Sequence, residues 1–182
     1  MENTTDPSKR YLSSEYLEKN PSWDIDDSPW KADQVMQILS DNSIQPRSIV
    51  EVGCGAGGVL ASLRAKNPSA LMVGYDIAPA ASTFWPQHAA MNIDYYVGDF
   101  LVLNRLRYDV VLLLDVIEHL TDPYIFLVKL REQGGLFVFH IPLDLSSFSV
   151  LRETPLLHVR DKVGHIHYFT KGLALAPRVL RI

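Results

Sequence analysis

The chain has 182 residues, 47% hydrophobic and 21% charged, with a formal net charge of −4. That size and hydrophobic share predict one globular domain with a sizeable core, and the mild negative charge without a polybasic run argues against nucleic acid as a partner. The single cysteine, Cys54, excludes an intrachain disulfide; no apolar run nears the ~18 residues of a membrane span, the polar N-terminus lacks a secretory signal's apolar stretch, and a cytoplasmic location is expected.

Residues 1–7 are expected to be disordered. Residues 8–19 read as a short helix, with Tyr11, Leu12, Tyr16 and Leu17 bunched on one side and Asn20-Pro21 as the stop. Ser28-Pro29 reads as an N-cap and first helical position, opening a helix to about Ser40. Residues 1–45 then form a helical cap, and residues 46–182 the core of the same domain.

Alternation follows. Strands are expected at 48–52, 70–75, 93–97, 109–114 and 136–141. Helices are expected at 59–66, at 80–90 (weakened by Pro86) and at 123–131 with Asp122 or Thr121 as cap. The second and fourth strands are apolar on consecutive residues, as in a parallel sheet covered on both faces. The β-α-β order predicts a doubly wound sheet with right-handed crossovers. Residues 142–160 show no clear period and read as a lid or loop over the strand ends.

The segment from Ile49 to Gly58 carries the first chemical signal. A strand runs into a glycine turn in which Gly53, Gly55 and Gly58 satisfy G-x-G-x-x-G. Asp76 follows about 20 residues later, where a ribose-binding acid belongs. A dinucleotide-binding fold reads the same up to this point, although Asp76 would repel a 2′-phosphate. Asp99, in Gly98-Asp99-Phe100, adds a carboxylate that can accept from the exocyclic amine of adenine, with Phe100 beside the ring. Taken alone, Gly-Asp is equally a turn.

The ordered set resembles the class I S-adenosylmethionine-dependent methyltransferases, and within them the small-molecule enzymes that include quinone biosynthesis. The matching residues are Glu51 to Gly57, Tyr75-Asp76-Ile77, Gly98-Asp99-Phe100, Asp109 to Leu120, Gly134 to Val138 and Gly164 to Thr170. The resemblance spans about residues 29–175. It implies an α/β three-layer sandwich with a Rossmann-like, mainly parallel sheet, and methyl transfer from S-adenosyl-L-methionine to a small molecule, leaving S-adenosyl-L-homocysteine. By the same resemblance, Glu51, Gly53, Cys54, Gly55 and Gly57 hold the methionine end. Asp76 takes the ribose, Ile77 flanks adenine, Asp99 and Phe100 meet its amine and ring, and Asp115 and Val116 line the sulfonium side. An acid-rich rim suits a sulfonium and an ammonium, whereas a pyrophosphate would gain nothing from Glu51 or Asp115.

His140, near the end of the fifth strand, is the first candidate for a general base and His165 the second; a base is needed only if the acceptor starts protonated. His119, after the fourth strand, reads as a loop or helix-start contact in preference to a base. With no H-x-x-x-H on a helix and the lone cysteine in the glycine loop, no metal is expected. A nicotinamide-dependent oxidoreductase is the rival enzyme class, but it leaves Asp99 without a role. A binding protein for the same cofactor, weak or inactive in catalysis, is the rival of another kind.

Members of the resembled family continue past the Phe169-Thr170 step with a helix and a two-stranded antiparallel hairpin. Here only residues 179–182 could supply a strand. All or part of the hairpin is therefore expected to be missing, and the fifth strand's edge to be covered by the C-terminus or by a second subunit in a homodimer.

Overall fold

A computed structural model describes residues 8–175. The expectations for residues 1–7 and 179–182 lie outside that range. In chain order the elements are α1 (Lys9–Leu12), α2 (Glu15–Lys19), α3 (Ser28–Asp41), β1 (Ser48–Val52), α4 (Gly58–Lys66), β2 (Leu71–Asp76) and β3 (Asp94–Val97). They continue with α5 (Phe100–Leu103), β4 (Tyr108–Leu114), α6 (Pro123–Leu130), β5 (Gly134–His140), α7 (Ser147–Arg152), α8 (Thr154–Lys162) and α9 (Lys171–Ala174). The five strands are all parallel, in the order β3-β2-β1-β4-β5.

Successive strand residues point to opposite faces, so consecutive apolar residues feed two cores. On one face Ile49, Met72, Val110 and Leu112 pack under α3 and α4, against Val35, Leu39, Leu60 and Leu63. On the other, Val50, Val73, Val111 and Leu113 pack against Phe100, Leu127 and Leu130 from α5 and α6. The result is the expected three-layer α/β sandwich. Within the described residues the sheet stops at β5, and no hairpin follows it.

Four local expectations need correction. The first helix is two short ones, because Ser13 leaves the helical region with ψ near 180°. Ser28 is the first residue of α3 and Asp27 precedes it as the cap, without a side-chain bond; the Ser28 hydroxyl instead packs beside Gly58. Residues Pro79–Met91 form a run of 3-10 turns instead of an α-helix, since Pro86 has no N–H to donate. Residues 142–160 are not a plain lid: Ser146 opens α7 with a capping box to Ser149, and Pro155 opens α8. The Asp122 cap of α6 is as expected, its Oδ1 accepting from Ile125 N at 2.9 Å.

Candidate active site

The bend after β1 holds three glycines in the left-handed region: Gly53 (φ +74°), Gly55 (+50°) and Gly57 (+79°). At Gly53 a Cβ would stand 2.6 Å from Val116 Cγ2, at the end of β4; at Gly55 it would stand 2.7 Å from the Trp23 indole of the cap. Gly53 N and Cys54 N both donate to Tyr75 O, at 2.7 and 3.0 Å. The next three carbonyls each meet a ring group: Trp85 Nε1 donates to Gly55 O (2.9 Å), His88 Nε2 to Ala56 O (3.2 Å) and the Tyr95 hydroxyl to Gly57 O (3.0 Å). None of these three side chains stood out in the sequence, because each acts on a backbone atom some 30 residues away.

Asp76 fastens the bend from the other side. One carboxylate oxygen accepts from Gly55 N at 2.7 Å and the other from Ala78 N at 2.8 Å. Burial raises its pKa, opposed by these two N–H groups. Each oxygen keeps a further lone pair. Asp76 is therefore a structural clamp as well as a wall of the cavity it borders.

That cavity, of about 560 Å³, opens past the carboxyl ends of β1 to β4, where the sheet order reverses between β1 and β4. Ligands of doubly wound sheets sit in this crevice. Gly53, Asp76, Ile77, Asp99, Asp115 and Val116 all line it, with Tyr11, Tyr16 and Trp23 of the cap across from them. Asp99 is exposed and caps α5, its Oδ1 accepting from Leu101 N at 2.8 Å. Phe100 also borders the cavity but is chiefly a core residue, 2% exposed and edge-on to Tyr75 with ring centroids 5.1 Å apart. A second cavity of about 290 Å³ lies beside the first and shares Gly53 and Asp115 with it. Glu51, Cys54, Gly55 and His165 line this one. Gly57 lines neither; a Cβ there would strike the Tyr95 ring at 2.7–2.8 Å, so its place in the set is structural.

Charge between the two cavities centres on Asp115, whose φ of +58° is unusual for a non-glycine residue. Its Oδ2 meets Lys31 Nζ at 2.7 Å and its Oδ1 meets His140 Nδ1 at 2.6 Å. Burial works against its charge, but the His140 and Lys31 contacts outweigh it and hold the carboxyl below its usual range. Lys31 shows the mirror effect: burial opposes its charge, and Asp115 more than restores it, so its pKa rises. Glu51 is buried with Oε2 unpartnered, and burial pushes its pKa up to about 8 against the pull of Lys31.

The two candidate bases are placed differently. The β4–β5 register pairs Leu114 with His140 and so sets His140 beside Asp115. It lines neither cavity; it lies behind Asp115, edge-on to Trp30 at 5.7 Å. His165 is 8% exposed and lines the smaller cavity, its Nδ1 held by Asp144 Oδ2 at 2.6 Å. The sequence signalled Lys31 only as part of the cap, and gave no signal for the buried Glu118 beside His165.

The cap is fastened across the cavities to the end of α8. Arg10 donates to the carbonyls of Arg160 and Asp161 (both 3.0 Å), Lys19 to that of Asp161 (3.0 Å), Asn20 to that of Lys162 (3.2 Å) and the Tyr11 hydroxyl to that of Val163 (3.0 Å). These are the carbonyls a helix leaves unpaired at its C-terminus, where the helix dipole also favours cations.

Residues 29–175 match a family model described as a methyltransferase domain. The chain belongs to that family. Among curated methyltransferases, the ubiquinone biosynthesis O-methyltransferase of Cereibacter sphaeroides is 35% identical over 98 residues, covering 50% of this chain and 39% of that protein. The (S)-tetrahydroprotoberberine N-methyltransferase of Eschscholzia californica is 27% identical over 164 residues, covering 73% of this chain and 47% of that protein. The chain thus spans less than half the length of these relatives. Among solved structures, the plantazolicin methyltransferase BpumL in complex with SAH superposes with a TM-score of 0.59 at 19% identity, covering 90% of this chain and 66% of that one. That likeness supports the fold.

Proposed function

We propose that this methyltransferase domain carries a methyl group from S-adenosyl-L-methionine to a small-molecule acceptor. The observation that carries the reading is the convergence of Gly53, Asp76, Asp99 and Asp115, from the ends of four strands, on one cavity. Asp76 and Asp99 keep acceptor capacity for ribose hydroxyls and the adenine amine, and Ile77 offers an apolar flank. Glu51, Cys54 and Gly55 border the smaller cavity on the methionine side. The bound sulfonium supplies an electrophilic methyl carbon. The chain's part is then alignment and charge: proximity and orientation alone can lower such a barrier by about 7–11 kcal/mol in favourable cases. Asp115 presents a fixed negative charge between the cavities. Its hydrogen bond holds the proton of His140 on Nδ1 and leaves Nε2 as the basic atom, so His140 is our base for a protonated acceptor. His165 is not assigned that role, since its Nε2 faces buried Glu118.

The same reading takes residues 1–182 as one domain, with cap 1–45 and core 46–182, working in the cytoplasm. The free thiol of Cys54 accords with a reducing compartment. No helix among the described residues is long and apolar enough to cross a membrane. A second copy covering the β5 edge belongs to the proposal as well.

A thermal-shift panel with S-adenosylmethionine, S-adenosylhomocysteine and NAD tests it. Stabilisation by the two sulfur compounds is expected, because a ligand that prefers the folded state raises the melting point. Stabilisation by NAD alone overturns the reading. A cofactor-binding protein without turnover is the second reading, favoured by the placing of His140 outside both cavities. Binding without methyl transfer to any acceptor in a cell extract, followed with a labelled methyl group, would select it.

A further inference from the structure

We propose that Glu118, His119 and His165 bind one divalent transition-metal ion of the zinc class. The three sit on two segments that the backbone buckles together: Ile166 N and His167 N both donate to Glu118 O, at 2.9 and 3.1 Å. One ligand atom from each residue falls within 4.8 Å of the others, and the two imidazole Nε2 atoms each lie 3.9 Å from Glu118 Oε1.

The hydrogen-bond pattern fixes what those atoms are. His119 Nδ1 lies 3.2 Å from Gly164 O and 2.9 Å from the Tyr11 hydroxyl, which donates its own proton to Val163 O. Nδ1 therefore carries the hydrogen and Nε2 a bare lone pair. Burial keeps this imidazole neutral, with its pKa pushed down to about 4. His165 Nδ1 points at the Asp144 carboxylate, so its Nε2 is bare too. Glu118 is 0% exposed and neither of its oxygens has a hydrogen-bond partner. With Glu118 ionised, three acceptors face one another with no donor between them, and a cation is the group that satisfies all three. Outer acceptors on the far nitrogens of both histidines are the usual second layer of a metal site, and they set the ring orientation.

Two histidines and a glutamate are a recurring ligand set for zinc with an open position, at bond lengths of ~2.0–2.2 Å. In a tetrahedral site such ligands stand roughly 3.3–3.6 Å apart, so the two 3.9 Å pairs close by about half an ångström on binding and the remaining pair, within 4.8 Å, by up to about 1.5 Å. Both imidazoles line the smaller cavity, and the open position faces it. The sequence pattern gave no hint, because the second histidine lies far along the chain, on a loop. Its existence does not rest on the methyl-transfer reading.

The test uses the full chain, stripped with a chelator and titrated with Co2+ as a spectroscopic probe. One Co2+ per chain, with a visible d–d band, displacement by Zn2+ and a raised melting temperature, is expected. His165→Ala should remove the band. Asp144→Asn, which touches only the far nitrogen of His165, should weaken binding about 10- to 100-fold and keeps the test open if His165→Ala does not fold. A folded wild type that takes up no Co2+, or variants that bind it as the wild type does, overturns the site. Neither result bears on binding of S-adenosylhomocysteine, which is read separately in the absence of metal.

Discussion

The glycine bend and the cap–α8 fastening both border the same cavities, yet they are built in opposite ways. The bend is held by buried, mostly uncharged donors and by one clamped carboxylate, Asp76. The fastening is held in large part by Arg10 and Lys19, whose long side chains reach helix-end carbonyls in bonds open to solvent. Buried bonds cost their full desolvation when broken, whereas exposed ones are replaced by water. The bend should therefore behave as a fixed floor, and the cap as the part that yields when a ligand enters.

Asp76→Ala should have the largest effect. It leaves Gly55 N–H and Ala78 N–H without an acceptor in a buried site, at about 1–3 kcal/mol each. A melting temperature lower by roughly 5–15 °C in calorimetry is expected, with loss of cofactor binding. A fall of only a degree or two would mean that the bend is no firmer than the cap.

Gly53→Ala comes next. The substitution forces an L residue into φ +74° at a cost of about 1–2 kcal/mol, and its Cβ meets Val116. Titration calorimetry with S-adenosylhomocysteine should show affinity reduced at least about tenfold.

Stability should also fall as the pH rises. Burial lifts the pKa of Glu51 to about 8 in the folded chain. Between the ordinary carboxyl range and pH 8 the folded state holds a proton that the unfolded state has released, so the stabilisation is full at low pH and is lost as pH climbs through 8. From pH 7 to 8, urea denaturation should show a loss of about 1 kcal/mol from Glu51. A flat profile there, or one that rises, contradicts the buried-carboxyl account.

The smallest effect on stability belongs to Arg10→Ala. It should change the unfolding free energy by less than ~1 kcal/mol, because the bonds it removes lie at the surface. Dissociation of S-adenosylhomocysteine in stopped flow should nonetheless quicken, by about three- to tenfold, as off-rates carry most affinity changes. An unaltered off-rate would show that the cap does not gate the cavity.

The same contrast explains what could be read from the sequence. The apolar runs of β1, β2 and β4 are local signals with a fixed period, and the glycine bend needs its residue types at one place. Asp99 and Asp76 were visible because strand ends are. The partnership of Asp115 with His140 was not, since it depends on the register that sets Leu114 against His140 across two parallel strands. The arginine, lysine and tyrosine of the cap gave no sign of their partners, because backbone carbonyls about 150 residues away carry no side-chain identity. For α7 and α8 the cues existed, in Ser146 and Pro155, but the apolar spacing was too irregular to reinforce them.

Asp115 has a last consequence. It stands on the partition between two adjoining chambers, and Lys31 and His140 grip it from either side. A carboxylate anchored in this manner cannot swing to follow whatever moves past it. On the proposed reading, a cationic ligand centre in either chamber meets a stationary anion whose two oxygens are already engaged by Lys31 and His140.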